Sequence, residues 1–415
     1  MDSPRYRDAP NRPAASWLKD AIIYNILIDR FARGNNEAWI DADGMKPIFC
    51  GGNLQGVIDR LDYLQHLGVN TLLLTPFHPT PAYHGYHVLD FYGVDPRFGT
   101  RETVKELLHA AHQRKIHVVM DFVLNHVSDK HPFFLDAQTN PQSHYRTWFH
   151  FNAWPHNYVS FLNYYELPKL NLANTEVKEH IIQAALYWTD LGFDGLRLDH
   201  VVGVPHGFLR ELRIAVKRRH PACVLIGETA VGRMSIGDLK TLRIRHKLGL
   251  FVLSQLRVNT NFFLQRQYAK ELDGVFDFFF RDLAEGFIIK KSWTKPPWLL
   301  RIILHLHYAG YPQAFSLISL LDNLDLDRFS FQVGDKAASL KQALELQFAQ
   351  AQPVIVLYGN EVGIEQRETR SAKDGQTKPN GDVVIRAPMP WNKTDQDLFD
   401  FYKQLIGQRK KRTST

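Results

Sequence analysis

FDGLRLDHV, residues 193–201, is a short and mostly apolar run that closes on charged side chains. Its length and composition are those of a buried parallel strand, because such a strand is covered on both faces and lacks the polar alternation of a half-exposed one. Arg197 and Asp199 stand near its carboxyl end. The same pattern recurs along the chain, and the number of recurrences decides the fold.

Eight runs of this kind are separated by segments with helical periodicity. They are residues 21–31, 69–77, 116–126, 193–201, 223–229, 274–282, 314–323 and 353–361. Eight strands alternating with helices are the count of a (β/α)8 TIM barrel, an α/β fold. A doubly wound open sheet gives a similar alternation, so the count favours the barrel without excluding that sheet.

One connection is longer than the others. About 45 residues separate His126 from the helix that begins near Thr175, which is more than a structureless loop holds in a compact domain. We therefore predict an inserted lobe, whose many aromatic residues form either its own small core or flat surfaces for a ligand. We predict an amino-terminal tail at 1–15, a barrel formed by 16–128 and 175–411, an inserted lobe at 129–174 and a carboxyl-terminal tail at 412–415. We expect no C-terminal β-sandwich domain.

Composition excludes several classes of function. The chain has 415 residues, of which 45% are hydrophobic and 22% charged, as in a globular protein. The formal charge of +7 comes partly from the chain ends, and no basic stripe interleaved with aromatic residues indicates nucleic-acid binding. The sequence shows neither a membrane span nor the apolar segment of a signal peptide. We expect a cytoplasmic protein without nucleic-acid or membrane partners, and the sequence leaves its oligomeric state open.

Three runs end in a carboxylate where a barrel has its active site. Asp199 closes the fourth run, Glu228 the fifth and Asp325 the seventh. The carboxyl ends of barrel strands meet at one mouth, so these groups are expected to converge. Retaining glycoside hydrolysis needs an ionised carboxylate as nucleophile and a protonated carboxyl as general acid.

Local sequence favours one role for each of two carboxylates. Arg197 and Asp199 point to the same face of their strand, where the guanidinium keeps the carboxylate charged, as a nucleophile requires. Glu228 follows the apolar residues CVLIG, where desolvation raises the pKa of a carboxyl group, as an acid requires. Taken singly, each carboxylate has an alternative reading, which is that it caps the next helix.

The sequences around these strand-end carboxylates, and the order in which they occur along the chain, resemble the motifs of the α-amylase family of retaining glycoside hydrolases. DFVLNH (121–126), GLRLD (195–199), LIGET (225–229) and LLDNLD (320–325) are similar to the family's motifs on strands 3, 4, 5 and 7. LPKLN (167–171) is most like the neopullulanase and cyclomaltodextrinase branch. The resemblance covers nearly all of residues 17–411. It implies an oligosaccharide substrate and cleavage of α-glucosidic, chiefly α-1,4, bonds of short glucans.

The resemblance also implies a role for each site residue. Asp199 is expected to be the nucleophile that forms the glycosyl-enzyme, Glu228 the acid/base, and Asp325 a third carboxylate that binds ring hydroxyls. Tyr86 would stack on the sugar, and His126 would hydrogen-bond to it. Arg197 would orient the nucleophile. The motifs describe the first half-reaction only, so a transglycosylase or phosphorylase, with another acceptor in place of water, remains an alternative.

The stretch around the third carboxylate departs from the family pattern. Leu324 stands where most members have a histidine, and leucine cannot donate that histidine's hydrogen bond to the sugar. A non-catalytic family member that kept the fold is therefore a further alternative. Of the nearby aspartates, Asp322 is expected to hold the loop and Asp327 to pair with Arg328.

Calcium binds some family members, but its ligands are few in this chain. DRFARGNNEAW (29–39) resembles a calcium loop, with Arg33 in place of an aspartate and Asn53 in place of a second acid. Asn125 matches a residue that binds a different calcium ion, and it is the one weak metal candidate. A hard dication needs a cage of charged oxygens, so we expect no cofactor and no obligate metal.

Overall fold

The computed structural model describes residues 16–230, 242–256, 259–290, 297–334, 336–371, 378 and 381–413. The predicted amino-terminal tail, 1–15, lies outside these residues, as do Ser414 and Thr415. Arg412 and Thr413, which the sequence assigned to a tail, belong to the last helix.

Twelve strands lie within the described residues. In chain order they are β1 (Ile22–Ile26), β2 (Thr71–Leu74), β3 (His117–Phe122), β4 (Phe151–Ala153), β5 (Asn157–Tyr158), β6 (Ser160–Phe161), β7 (Tyr164–Pro168), β8 (Gly195–Leu198), β9 (Val224–Gly227), β10 (Gly274–Asp277), β11 (Ser316–Ser319) and β12 (Val354–Leu357). Eight of them form a closed barrel in the order β1-β12-β11-β10-β9-β8-β3-β2. All pairings within it are parallel, and β1 pairs with both β12 and β2. The predicted barrel is confirmed, and an open sheet is excluded.

Helices follow the barrel strands along the chain, and one of them, Pro132–Thr139, lies in the inserted segment 129–174. They are α1 (Ile28–Phe31), α2 (Leu54–Asp59), α3 (Leu61–Leu67), α4 (Arg101–Gln113), α5 (Pro132–Thr139), α6 (Thr175–Leu191), α7 (His206–Arg219), α8 (Lys247–Gln255), α9 (Asn261–Leu264), α10 (Phe278–Ala284), α11 (Pro297–Ala309), α12 (Phe329–Val333), α13 (Ala337–Ala349) and α14 (Gln396–Thr413). Local signals fix their ends. For α6, the Asn174 side chain accepts from the N–H groups of Glu176 and Val177, and Gly192 ends the helix at φ 121°.

Two buried clusters hold the layers together. Alternate strand residues point into the barrel, so Ile23, Val119 and Ile318 join one cluster inside it. Their neighbours, such as Ile22 and Tyr24, join the larger cluster between strands and helices. The strands are therefore buried on both faces, which explains the near-continuous apolar runs.

Residues 129–174 contain α5, a short 3-10 helix at His144–Trp148 and two hairpins, β4–β5 and β6–β7. The ring of Phe134 lies 4.9 Å from that of Phe149 and 4.8 Å from that of Tyr158, so much of the aromatic content forms a small core. Tyr164 and Tyr165 are instead exposed.

Candidate active site

Arg197 lies at the centre of three carboxylates that come from neighbouring strands. Its Nη1 donates to both oxygens of Asp121, at 2.7 and 2.8 Å, and to Asp199 Oδ1 at 2.8 Å. Its Nη2 lies 2.7 Å from Glu228 Oε2. The parallel register of β3, β8 and β9 brings these side chains to one end of the barrel. The predicted convergence of Asp199 and Glu228 is therefore observed, and Asp121 joins them.

Main-chain contacts hold the two strand ends together. The N–H of Glu228 donates to the carbonyl of Leu198 at 3.2 Å, and that of Val201 donates to the carbonyl of Glu228 at 3.2 Å. His200, directly after Asp199, has φ 46°, a left-handed conformation that is uncommon for a residue with a side chain. Such strained positions cluster at functional sites.

Burial dominates the electrostatics of this cluster. It raises the pKa of Asp199, Glu228 and Asp121, and the attraction of Arg197 offsets this only in part. Asp199 was expected to be kept charged by Arg197, but its pKa is raised because burial outweighs the attraction of Arg197 and the neighbouring carboxylates add to the effect. Such a set titrates as a unit and retains a proton more readily than a single paired carboxylate does. The cluster can thus hold both an ionised and a protonated carboxyl group.

A pocket opens beside this cluster. Its lining residues are Asn25, Leu73, Tyr86, Asp121, Arg197, Glu228, Phe276, Asn323, Leu324 and Asp325. Tyr86 is half-buried, and its hydroxyl donates to Asp121 Oδ2 at 2.7 Å. Asp199 and His126 are not among these lining residues, although Asp199 reaches the cluster through Arg197.

His126 lies just beyond the end of β3 and is buried. Its ring packs on Phe161 at 4.8 Å, and burial lowers its pKa to about 3, so the imidazole is neutral. Within the described residues, its Nε2 has no hydrogen-bond partner. A neutral imidazole with one unused nitrogen is suited to bind a hydroxyl.

Asp325 lines the same pocket as the Arg197 cluster, but its carboxylate pairs with a different arginine. Its side chain is 52% exposed, and its Oδ1 lies 2.9 Å from Nη2 of Arg386. Leu324, only 4% exposed, lines the same pocket. Its carbonyl accepts from Nε of Arg386 at 2.9 Å. Arg386 was not predicted, because it lies in an irregular segment 61 residues beyond Asp325 and closes no strand.

The other aspartates of this stretch hold the loop. Asp322 accepts from the N–H of Phe329 and from Asn360 Nδ2, as predicted. The predicted pairing of Asp327 with Arg328 is wrong. The carboxylate of Asp327 accepts from the segment 366–370, including Gln366 Nε2 at 2.7 Å. The buried Arg328 donates elsewhere, at 3.0 Å to a main-chain carbonyl.

Comparison with known proteins places the chain in a family. A model of the alpha-amylase catalytic domain matches residues 25–239. The chain belongs to the alpha-amylase family.

Alpha-amylase relatives with curated names match most of the chain. Alpha-amylase 2 of Dictyoglomus thermophilum is 32% identical over 98% of this chain and 66% of its own length. Neopullulanase 2 of Thermoactinomyces vulgaris is 32% identical over 95% of this chain and 63% of its own length. This chain thus spans slightly less than two thirds of these relatives. The resemblance to the neopullulanase branch is confirmed.

A solved structure agrees with this assignment. The ligand-free cyclic alpha-maltosyl-(1→6)-maltose hydrolase from Arthrobacter globiformis matches with a TM-score of 0.78 and 29% identity. The match covers 95% of this chain and 83% of that one. Across the described residues, no helix is both long and apolar enough to cross a membrane.

In the segment 29–39, whose sequence resembles a calcium loop, the contacts of the side chains do not suit a calcium ion. The guanidinium of Arg33 pairs with the carboxylate of Glu37 and donates to the carbonyl of Ala38. Asn53 Oδ1 already accepts from two backbone N–H groups, at 3.1 and 2.8 Å. A hard dication needs these oxygens free and surrounded by negative charge.

Asn125, the weak metal candidate of the sequence, is no better placed to bind an ion. Lys169 Nζ donates to the carbonyl of Gly203 at 2.7 Å. Gly203 packs directly on Asn125, since a Cβ added to this glycine would lie 2.5 Å from Asn125 Oδ1. Lys169 thus bonds to the glycine that packs on Asn125. The described part of the chain contains no group of three or more His, Cys, Asp or Glu side chains that is able to hold a metal ion.

Proposed function

We propose that the protein is a retaining glycoside hydrolase that cleaves α-1,4-glucosidic bonds of short glucans. The observation that carries this proposal is the sharing of Arg197 by Asp199 and Glu228 at the mouth of the barrel. Two carboxyl groups on one guanidinium are close neighbours, as direct attack by one of them on the sugar requires. The names of the relatives, which include a neopullulanase, support maltodextrins, cyclodextrins and pullulan as the substrates to test first.

In the proposed first step, Asp199 attacks the anomeric carbon and forms an ester bond to the sugar. The glycosidic bond breaks at the same time, and Glu228 gives its proton to the departing oxygen. The pKa of Glu228, which burial raises, favours this step, because it increases the share of the carboxyl group that carries a proton to donate. In the second step, Glu228 takes a proton from water, and the resulting hydroxide releases the sugar from Asp199.

The other groups bind the sugar in this proposal. Tyr86 offers a ring face beside the cluster, and His126 offers an unused ring nitrogen. Asp325 is exposed enough to meet ring hydroxyls while Arg386 holds it in place. These roles follow the alpha-amylase family pattern.

The test is a substrate screen with product analysis for the wild type, Asp199→Asn and Glu228→Gln. We expect maltooligosaccharides to be shortened by the wild type, and both variants to lose at least about 10³-fold in kcat. The matched control is Asp62→Asn. Asp62 is 82% exposed, and its carboxylate pairs with Arg114 and not with the cluster. Products longer than the substrate would indicate that the enzyme transfers glycosyl groups to sugar acceptors instead of hydrolysing the bond. Equal inactivity of wild type and variants on every α-glucoside would refute the catalytic proposal.

A further inference from the structure

A second cavity lies at the end of the barrel opposite to the Arg197 cluster. Its volume is about 440 Å³, which is within the range of small-molecule binding sites. Two of its lining residues, Ser316 and Leu317, are the first residues of β11, and Pro353 directly precedes β12. The Arg197 cluster lies instead at the carboxyl ends of its strands. Within the described residues, this cavity and the catalytic pocket share no lining residue.

Aromatic side chains form part of the cavity wall. Tyr308 belongs to the end of α11, and Tyr311 and Phe315 lie between α11 and β11. The rings of Tyr311 and Phe315 stack at 5.6 Å, with their planes 6° apart. The hydroxyl of Tyr308 is buried and has no hydrogen-bond partner within the described residues. The wall therefore offers flat apolar faces together with a hydroxyl group that needs a partner.

Positive charge lies beside these rings. Lys19, from a 3-10 helix at Ser16–Asp20, lines the cavity and is exposed. Arg409 of α14 lies against two lining residues, since its Nη2 contacts the carbonyls of Lys19 and Ala351 at 3.4 and 3.5 Å. Arg409 is only 1% exposed, and its Nε has no hydrogen-bond partner within the described residues. A buried guanidinium that meets carbonyl groups alone is stabilised by an anion close to it.

The charges that act on Arg409 are consistent with this view. Burial lowers its pKa to about 10, the charge of Arg412 adds to this effect, and that of the exposed Asp20 opposes it. Arg409 also lies close enough to Tyr308 to act against the burial that raises the pKa of that hydroxyl. Cations thus outnumber acids around this end of the cavity, and a negatively charged ligand is favoured there.

A further donor comes from Gln352. Its Oε1 accepts from the N–H of Leu317 at 3.1 Å, so its amide nitrogen is left to donate. Ammonium, guanidinium and amide donors suit a phosphate group, which carries negative charge and several acceptor oxygens. The stacked rings suit the C–H face of a sugar, whose hydroxyls can pair with the hydroxyl of Tyr308. A simple aromatic acid would pack on the same rings but would leave that hydroxyl without a partner.

We propose that this cavity binds a phosphorylated sugar, with the phosphate beside Lys19 and the sugar ring against Tyr311 and Phe315. The proposal does not depend on the proposed catalysis, because the two sites lie at opposite ends of the barrel. The ligand is bound and not cleaved here, since the lining residues include no carboxylate. Binding should therefore be visible as affinity and as added stability of the folded chain.

The experiment titrates glucose 6-phosphate into the full-length protein and follows binding by isothermal titration calorimetry. One molecule should bind per chain, and the melting temperature should rise by several degrees when the ligand concentration is far above Kd. Inorganic phosphate and glucose each carry half of the chemistry, so each should compete at least about tenfold more weakly. Asp199→Asn should bind glucose 6-phosphate like the wild type, because the catalytic pocket takes no part.

Two variants locate the binding site. Lys19→Met removes the charge and Tyr311→Leu removes the ring, and each should weaken binding by at least about tenfold. The control is Lys105→Met, at an exposed lysine of α4, which should leave the affinity unchanged. Because Lys19 is exposed, its variant remains informative even where Tyr311→Leu does not fold. The proposal is overturned if glucose 6-phosphate does not bind, if phosphate or glucose alone competes equally well, or if Lys19→Met keeps the wild-type affinity.

Discussion

Arg386 and Asp325 form an ion pair at the pocket, with Nη2 of the arginine 2.9 Å from Oδ1 of the aspartate. Nε of the same guanidinium donates to the carbonyl of Leu324 at 2.9 Å, so one side chain fixes both residues. Arg386 is itself buried and lies 3.3 Å from Asp382. The third carboxylate of the site is thus positioned by a segment that lies far beyond its own strand.

Replacing Arg386 with methionine should lower kcat/KM on maltooligosaccharides by about 10- to 100-fold. Hydrogen bonds to a charged group contribute about 1.5–3 kcal/mol, and Asp325 loses its fixed position without them. Arg386→Lys keeps the charge but loses the forked geometry of the guanidinium, so its kcat/KM should lie between that of the wild type and that of the methionine variant. Steady-state kinetics and melting temperatures separate the roles. A methionine variant with normal kcat/KM and a lower melting temperature would assign Arg386 to folding alone.

Leu324→His should raise the turnover of maltooligosaccharides, by up to about 10²-fold. It introduces a donor beside Asp325, and a donor that acts in the transition state is typically worth about 2.7–4 kcal/mol. The same change should lower the melting temperature, because Leu324 belongs to the buried core and an imidazole there lacks a partner. Leu324→Met serves as the apolar control. Unchanged turnover in the histidine variant would mean that this part of the pocket is adapted to another substrate.

The convergence of Asp199 and Glu228 was predictable because barrel topology leaves little freedom. Apolar runs of strand length, alternating with helical patterns, determine which strands are neighbours, and residues at their carboxyl ends must then meet. The same logic places Asp121 beside Arg197, since β3 and β8 pair in register. Asp121 was visible in the sequence as a strand-end acid, but no second signal distinguished it from a residue that holds a loop.

The contacts of irregular segments were not predictable in this way. Arg386 follows a 3-10 helix at Gly381–Ile385, and no periodicity indicates where such a segment returns to the barrel. Asp327 likewise does not pair with its sequence neighbour Arg328. Its carboxylate accepts a hydrogen bond from Gln366, because tertiary packing decides which donors reach it. The raised pKa of Asp199 also escaped prediction, since it depends on how deeply the folded chain buries this carboxyl group and on which other carboxylates lie beside it.

Tyr86→Phe and Tyr86→Ala should separate stacking from hydrogen bonding. The phenylalanine variant keeps the ring and loses only the 2.7 Å bond to Asp121, so KM should change by less than about threefold. The alanine variant also removes the stacking face, and its KM should rise by about tenfold. Equal KM values for both variants would mean that the ring does not contact the sugar. Isothermal titration with a slowly cleaved oligosaccharide provides an independent measure of binding.

His78 should make the protein less stable in mild acid. Burial lowers the pKa of this imidazole to about 4, from 6.5, and a hydrogen bond with the backbone of Gly93 and the charge of Asp90 offset only part of that shift. The unfolded chain therefore binds more protons than the folded one between these values, so stability is complete above pH 6.5 and falls as pH drops towards 4. The loss amounts to about 3 kcal/mol for this histidine. In His78→Gln, urea unfolding at a series of pH values should show a shallower acid dependence than in the wild type, whereas the exposed His109→Gln should leave it unchanged. Identical acid dependence in wild type and His78→Gln would show that His78 is not buried as a neutral ring.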